Sequence, residues 1–179
     1  MIAAGTVRSG MSSPRPERRN SPDVSKELQQ SRPFRSESQE ATLALLRTAS
    51  VIGRRMSRVI EPHGLSLAQY NVLRILRGAG GEGLPTLAIR NRMVEEGSTV
   101  TRLLDKLESS GLVTRDRNRP DRRQVQCWIS EPGLALLATL DPLIDAADSA
   151  TFAMLDSATR RQFIDTLARV RVGKLPEER

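Results

Sequence analysis

Five arginines stand close together near the middle of the chain and give it its most readable chemistry. They are Arg115, Arg117, Arg119, Arg122 and Arg123, with only Asp116 and Asp121 among them to offset their charge. Duplex DNA is a natural partner for such a cluster, because cations that neutralise phosphates release condensed counterions, and arginine is attracted to a narrow minor groove. The alternative is a solvated surface loop, which is the commoner explanation for an arginine-rich turn taken alone.

The residues before this cluster predict the helix that presents it. Apolar side chains recur at helical spacing at Val100, Leu103, Leu104 and Leu107, so one face of the helix is expected to be buried. The outer face then carries Ser98, Thr101, Arg102, Asp105 and Lys106. Of the polar groups here, Arg102 and Lys106 can donate to guanine, while Ser98, Thr99 and Thr101 can bond phosphates or bases.

Two strands are predicted after this helix. Gly111 supplies the left-handed residue that ends a helix, and residues 112–114 and 124–129 then read as strands on either side of the arginine-rich turn. A helix followed by a basic hairpin is the layout of a winged helix. In that context we favour DNA over the solvated loop.

Further elements are needed to hold this unit. Apolar spacing predicts a first helix over residues 37–60 with two buried stripes, one for its own domain and one for a second subunit. Ser66 and Gln69 have the spacing of a capping box, so a second helix should begin there and run to about Arg77. A short third helix from Pro85 to about Val94 would complete a helix-turn-helix.

The C-terminal part predicts two more helices. Pro142 should bend the fifth helix rather than end it, because the apolar periodicity continues beyond it. Asp156 or Ser157 should cap the sixth, which carries Phe163, Leu167 and Val170 along one face. With aromatic residues at only 3%, the core must be aliphatic. The predicted fold is therefore mostly α, a winged helix-turn-helix with about six helices and a two-stranded β wing.

The domain organisation follows from these elements. Residues 1–36, basic and poor in large apolar side chains, are expected to be a disordered tail. Residues 37–172 should form one domain, in which 65–130 read DNA while 37–61 and 131–172 provide dimerisation helices. Residues 173–179 should be a frayed tail.

Composition argues against an enzyme. The chain has a net charge of +7, one histidine and one cysteine, with neither a nucleotide-binding signature nor a metal-ligand cluster, so no cofactor or metal is expected. Cys127 alternates with Val125 and Ile129, which favours a packing role over a redox one. The glycines of residues 78–83 lack the Gly-Lys-Ser/Thr of a phosphate loop and predict a turn. Neither a membrane span nor a signal peptide is apparent, so we expect a cytoplasmic protein.

Three blocks of the sequence, residues 99–108, 111–115 and 120–123, resemble the recognition helix and wing of the MarR family, the multiple-antibiotic-resistance-type regulators of bacteria. The resemblance extends over roughly residues 37–172. It implies an obligate homodimer that binds palindromic duplex DNA, usually as a repressor, and is often released by a small-molecule effector. It also implies that Asp121 pairs with either Arg122 or Arg123 to shape the wing, while the other arginine meets DNA.

The resemblance places an effector pocket between the first, second and fifth helices. Its candidate lining residues are Met56, Ile60, Leu65 and Tyr70, which a packed core explains equally well. Residues 95–97, Glu-Glu-Gly, depart from the family pattern and put two carboxylates beside the phosphates. They are the one feature that favours the alternative function, a winged helix that contacts proteins and has lost DNA binding.

Overall fold

The structure is a computed structural model that describes residues 23–94, 99–116 and 125–173. The described residues are mostly helical, which confirms the predicted class. Their helices are α1 (Val24–Glu27), α2 (Glu37–Ile60), α3 (Leu67–Gly78), α4 (Thr86–Arg90), α5 (Val100–Ser109), α6 (Glu131–Thr151) and α7 (Ser157–Val172). Their strands are β1 (Leu84–Pro85), β2 (Val113–Asp116) and β3 (Gln126–Ile129). The chain divides into two compact units, residues 1–47 and 48–179.

The N-terminal unit contains a short helix that the composition did not predict. Asp23 caps α1, because its carboxylate accepts a backbone amide of the first turn at 3.0 Å. Arg47 then donates to Glu27 at 3.0 Å, which ties this helix to the first half of α2. The expected disorder of residues 1–36 thus differs from the structure at α1, where a local cap and an ion pair supply order. Residues 1–22 lie outside the described part.

The start of α3 confirms the capping box. Ser66 Oγ accepts the backbone amide of Gln69 at 3.2 Å, and Gln69 Oε1 accepts the amide of Ser66 at 2.9 Å. The flanking residues Leu65 and Tyr70 are 3% and 5% exposed, as expected for the two members of a hydrophobic staple. Upstream, Gly64 has a φ of 78° and ends the turn that follows α2.

The third predicted helix is shorter than expected. α4 ends at Arg90 instead of about Val94, and the amide of Val94 donates to the side chain of Asn71 at 3.0 Å. Pro85 is the N-cap residue of α4 and also belongs to β1, so the sheet has three strands and not two. β3 is the central strand, and its Cys127 is in register with Leu84 of β1. A proline is tolerated in β1 because this strand lies at the edge.

The C-terminal unit has an aliphatic core, as the low aromatic content predicts. The described residues that are buried include no charged side chain. Fully buried large side chains come from α2 through α6 and are Ile60, Leu73, Leu76, Ile89, Leu104, Leu107, Leu137 and Leu140. This core fixes α3 against both α5 and α6.

The course of α6 and the N-cap of α7 agree with the sequence predictions. α6 continues through Pro142, and the Asp156 carboxylate caps α7 by accepting the amide of Thr159 at 2.7 Å. No residue of α7 is buried within the chain itself. Its apolar side chains Ile164, Val170 and Val172 are 45%, 60% and 80% exposed.

A bidentate ion pair joins α3 to α6 and should make stability depend on pH. Arg77 donates to the two carboxylate oxygens of Asp141 at 2.6 and 3.1 Å. These hydrogen bonds lower the pKa of Asp141. The pair therefore stabilises the fold above the usual aspartate pKa of about 4, and this contribution is lost as the pH falls through the folded-state pKa.

Asp141→Asn is expected to lower the free energy of unfolding at pH 7 by about 0.5–1 kcal/mol, a modest value because both partners are more than a third exposed. At a pH below the folded-state pKa of Asp141 the loss should shrink towards zero. Urea unfolding at pH 7 and at such an acidic pH measures both. Asp145→Asn is the matched control, since Asp145 is exposed on the same helix and pairs with no other described residue. An equal loss for Asp141→Asn at both pH values would contradict the assignment.

Candidate nucleic-acid interface

The outer face of α5 is built by the burial of its inner face. Val100 is 4% exposed, and Leu104 and Leu107 are fully buried. The helix begins after Thr99, whose carbonyl accepts the amide of Arg102 at 2.9 Å. The predicted apolar stripe thus holds the helix against the core and turns its polar residues outward.

The exposed residues of α5 include three of those predicted to meet DNA. Thr101, Arg102 and Lys106 are all exposed, and so is Thr99 just before the helix. The side chains of Arg102 and Lys106 make no hydrogen bond or ion pair with any other described residue, so both cations are presented to solvent. The remaining predicted residue of this group, Ser98, lies outside the described residues.

The turn after α5 sets the direction of the wing strands. Gly111 has a φ of 71°, which confirms the predicted left-handed residue. The amide of Leu112 donates to the carbonyl of Leu107 at 2.9 Å, and Ser130 Oγ donates to the carbonyl of Gly111 at 2.6 Å. The start of β2 and the end of β3, which form the base of the strand pair, are therefore both anchored next to the end of α5.

The described strand pair ends before the arginine-rich turn. β2 pairs with β3 antiparallel, from Val113 opposite Ile129 to Asp116 opposite Gln126. The predicted wing residues between the two strands lie outside the described residues, and these are Arg117, Arg119, Asp121, Arg122 and Arg123. Their assignment to DNA or to shaping the wing stays a prediction.

Arg115 is placed differently from a solvent-facing cation. Its Nη2 donates to Asp105 Oδ1 at 2.6 Å and also to Glu108 Oε2, while its Nε donates to Glu108 Oε2 at 2.9 Å. The side chain is only 7% exposed. The hydrogen bonds that Arg115 donates to Glu108 and then to Asp105 raise the pKa of Arg115, so it stays charged. In this structure the guanidinium joins β2 to α5 and offers little surface to DNA.

The four predicted effector-pocket residues are part of the core. Met56, Ile60, Leu65 and Tyr70 are 8%, 0%, 3% and 5% exposed. Burial is also the main reason that the pKa of Tyr70 is raised. Packing in the core, the alternative explanation for these residues, therefore accounts for all four.

Tyr70 also borders an open cleft of about 110 Å³, which Met56, Ile60 and Leu65 do not line. This cleft lies between α3 and the segment that follows α4, and Arg74 closes one side with its guanidinium 5.8 Å from the centre of the Tyr70 ring. Across the cleft stand Met93 and Val94. The sequence did not place Met93 and Val94 beside this cleft, because the predicted third helix extended to about Val94.

The thiol of Cys127 is fully buried, with its Sγ 3.9 Å from Thr86 Oγ1, in agreement with a packing role. In the described ranges, no group of three or more histidine, cysteine or acidic side chains is arranged to hold a metal ion. Among the same residues no helix has the length and apolar character needed to cross a bilayer.

These elements define the class of protein. A short helix α4 packs against α5, whose polar face is exposed, and α5 leads into an antiparallel strand pair. This arrangement is a winged helix-turn-helix, a DNA-binding fold in which the second helix of the motif enters the major groove.

Comparisons with known proteins identify the family. Residues 65–125 match the model of the MarR family. The HTH-type transcriptional regulator TtmR of Methylorubrum extorquens is 36% identical over 128 residues, which span 72% of this chain and 64% of that protein. A crystal structure of a MarR transcription factor from Planctomyces limnophilus is 32% identical, with a TM-score of 0.60, over 76% of this chain and 98% of that one. The chain belongs to the MarR family, and it is a transcriptional regulator and not an enzyme.

A further solved relative carries a bound ligand. The crystal structure of CouR from Rhodococcus jostii, bound to p-coumaroyl-CoA, is 26% identical to this chain. Its TM-score is 0.65, and the similarity covers 80% of this chain and 100% of CouR. The fold of this chain is therefore shared with a protein that was crystallised with a small molecule bound.

Proposed function

We propose that this regulator binds a palindromic duplex as a homodimer, with α5 in the major groove and the wing in the flanking minor groove. The observation that carries the proposal is the exposure of Arg102 and Lys106, one turn apart on the outer face of a helix whose inner face is fixed in the core. Both side chains can donate to the acceptors on the guanine edge. Ser98, Thr99 and Thr101 are proposed to bond phosphates or neighbouring bases.

The dimer is proposed to form through the N- and C-terminal helices. Support comes from α7, in which no residue is buried within the chain. A second apolar surface, a cleft of about 270 Å³, lies between the second half of α2 and the turn from α6 to α7, and Phe152 and Phe163 are among its lining residues. Two copies related by a two-fold axis would present two α5 helices to successive major grooves, so the operator should be palindromic.

The proposed mode is repression relieved by a small molecule. A dimer seated on an operator blocks that stretch of DNA to other proteins. The effector is proposed to enter the cleft beside Tyr70, since Met56, Ile60 and Leu65 are enclosed in the core. A ligand there would press on Val94, which is held to α3 by its hydrogen bond to Asn71 and stands shortly before α5.

Enrichment of bound duplexes from a random pool tests the reading helix. The wild-type protein should enrich a palindrome. Arg102→Ala should lose its base preference at one symmetric pair of positions in the palindrome. At those positions the binding free energy lost on changing the base should shrink by about 1–3 kcal/mol, because the bidentate contact to guanine is gone.

Arg169→Ala is the matched control. Arg169 is also an exposed arginine, but it lies on α7, outside the winged helix and on a different side of that helix from Ile164, so the variant has the same net charge and should enrich the wild-type palindrome. If the wild type, the Arg102 variant and the control variant all enriched the same motif, Arg102 would not contact bases. No binding to any duplex at low salt, by protein shown to be folded, would favour the protein-contact alternative.

A further inference from the structure

The strongest unexplained feature of the interface is the cation that faces inward. Arg115 stands on β2, where an arginine next to DNA would be expected to face the phosphates, yet its side chain is 7% exposed. Asp105 and Glu108, which it bonds, are both on α5, and their side chains are 55% and 30% exposed. A nearly buried arginine thus bridges two acidic residues of the DNA-reading helix.

We propose that Arg115 is a positioning residue, which sets the angle between the reading helix and the wing and makes no contact with DNA itself. The proposal rests on the proposed DNA binding and adds to it the way in which the two reading elements are held together. Arg115 leaves β2 and reaches α5 at two points almost one turn apart, through both Nε and Nη2. Because the guanidinium is planar and rigid, two acceptors fix its orientation and hence that of the strand.

The bridge also changes the charge that α5 presents. Asp105 and Glu108 together would cancel the charge of Arg102 and Lys106 on this helix. Arg115 compensates one of the two carboxylates, so the face offered to the phosphates stays positive. Asp105 Oδ1 is fixed by the bridge at 2.6 Å, which also keeps this exposed carboxylate turned towards β2.

The salt dependence of DNA binding separates a positioning role from a contact. Each lysine or arginine that neutralises a phosphate adds about 0.9 to the slope of log affinity against log salt. Arg115→Ala is expected to weaken binding of the selected palindrome about 10-fold, equivalent to about 1.4 kcal/mol, with the slope unchanged. A slope reduced by about one unit, or an unchanged affinity, would overturn the proposal.

The acidic partners provide a second readout. In an Asp105→Asn/Glu108→Gln background, removing Arg115 should change affinity by less than about threefold, because the groups through which it acts are already neutral. A direct phosphate contact would keep its full effect in that background. Such persistence would also overturn the proposal.

Arg115→Lys covers the case in which the alanine variant does not fold. Lysine keeps the positive charge that a phosphate requires but cannot bridge two carboxylates with fixed geometry. We expect it to bind several-fold more weakly than wild type, whereas wild-type affinity would contradict positioning. Circular dichroism and thermal melts establish that each variant is folded at the assay temperature. If the wild-type protein itself fails to bind duplexes, the proposed function fails, and this is distinguished from failure of the bridge alone.

Discussion

Gly83→Ala is expected to destabilise the fold by about 3 kcal/mol. Gly83 has a φ of 64° and a ψ of −171°, a backbone conformation essentially restricted to glycine, in which other residues are strained by about 1–3 kcal/mol. A Cβ atom at this position would lie 2.5 Å from the carbonyl oxygen of Cys127 and 2.5 Å from Trp128 Nε1. Since the first of these is backbone of the central strand, the clash must displace β3, at a further cost of about 1–3 kcal/mol.

A thermal melt checks this expectation. For a chain of this size, about 3 kcal/mol should lower Tm by roughly 6–12 °C. Gly81→Ala is the matched control, because Gly81 is in the same turn, has no positive φ, and offers open space to a Cβ atom. The control should melt close to wild type. If Gly83→Ala melted at the same temperature as the Gly81→Ala control, the turn would accommodate a Cβ atom without strain, and this would contradict the expectation.

Ile164→Glu is expected to convert the proposed homodimer into monomers. Ile164 is 45% exposed on α7, and the dimer proposal requires its face to be covered by the second copy. Burying a carboxylate there without a partner costs several kcal/mol, so the dimer Kd should rise on the order of 100-fold, about 2.7 kcal/mol. Affinity for a palindromic duplex should fall in parallel, because one subunit then has to bind each half-site by itself.

Light scattering on a size-exclusion column, over a concentration series, measures this shift. Thr166→Glu is the control, since it adds the same charge at another exposed position of α7, two residues away and therefore on another side of the helix. It should leave the assembly unchanged. A dimer in both variants would place the interface elsewhere, and a monomeric wild type would overturn the homodimer.

The features that sequence predicted best are those decided within a few residues. The capping box of Ser66 and Gln69 begins α3 as expected, because both of its hydrogen bonds are local. Gly111 ends the α5 segment for a similar reason, since its φ of 71° suits glycine wherever the rest of the chain lies. The apolar stripe from Val100 to Leu107 also predicted which side of α5 would be exposed.

The features that sequence missed depend on residues far apart in the chain. β1 is only two residues long, and its pairing is fixed by Cys127 and Gln126, about 40 positions further on. α4 ends early because Asn71, from the preceding helix, takes the amide of Val94. No local pattern at either place reveals such a partner.

Arg115 shows the same limit for a side chain. Its residue type and its neighbours fit a DNA contact, and only the placement of Asp105 and Glu108 gives it another role. The signal was present in the sequence as two acidic residues on α5, but their distance from Arg115 depends on the angle at Gly111. The charge of a residue is fixed by its type, whereas its partner is fixed by the fold.

The indole of Trp128, whose Nε1 donates to the carbonyl of Gly81 at 3.1 Å, is an intrinsic fluorophore of the protein. Trp128 is the only tryptophan in the chain, so all indole emission arises from β3. Excitation at the red edge of the absorption band therefore reports on the sheet without an added dye. A titration with duplex or with a small molecule can be followed by emission wavelength and quenching in the unmodified protein, and Gly83→Ala would alter that signal at its source.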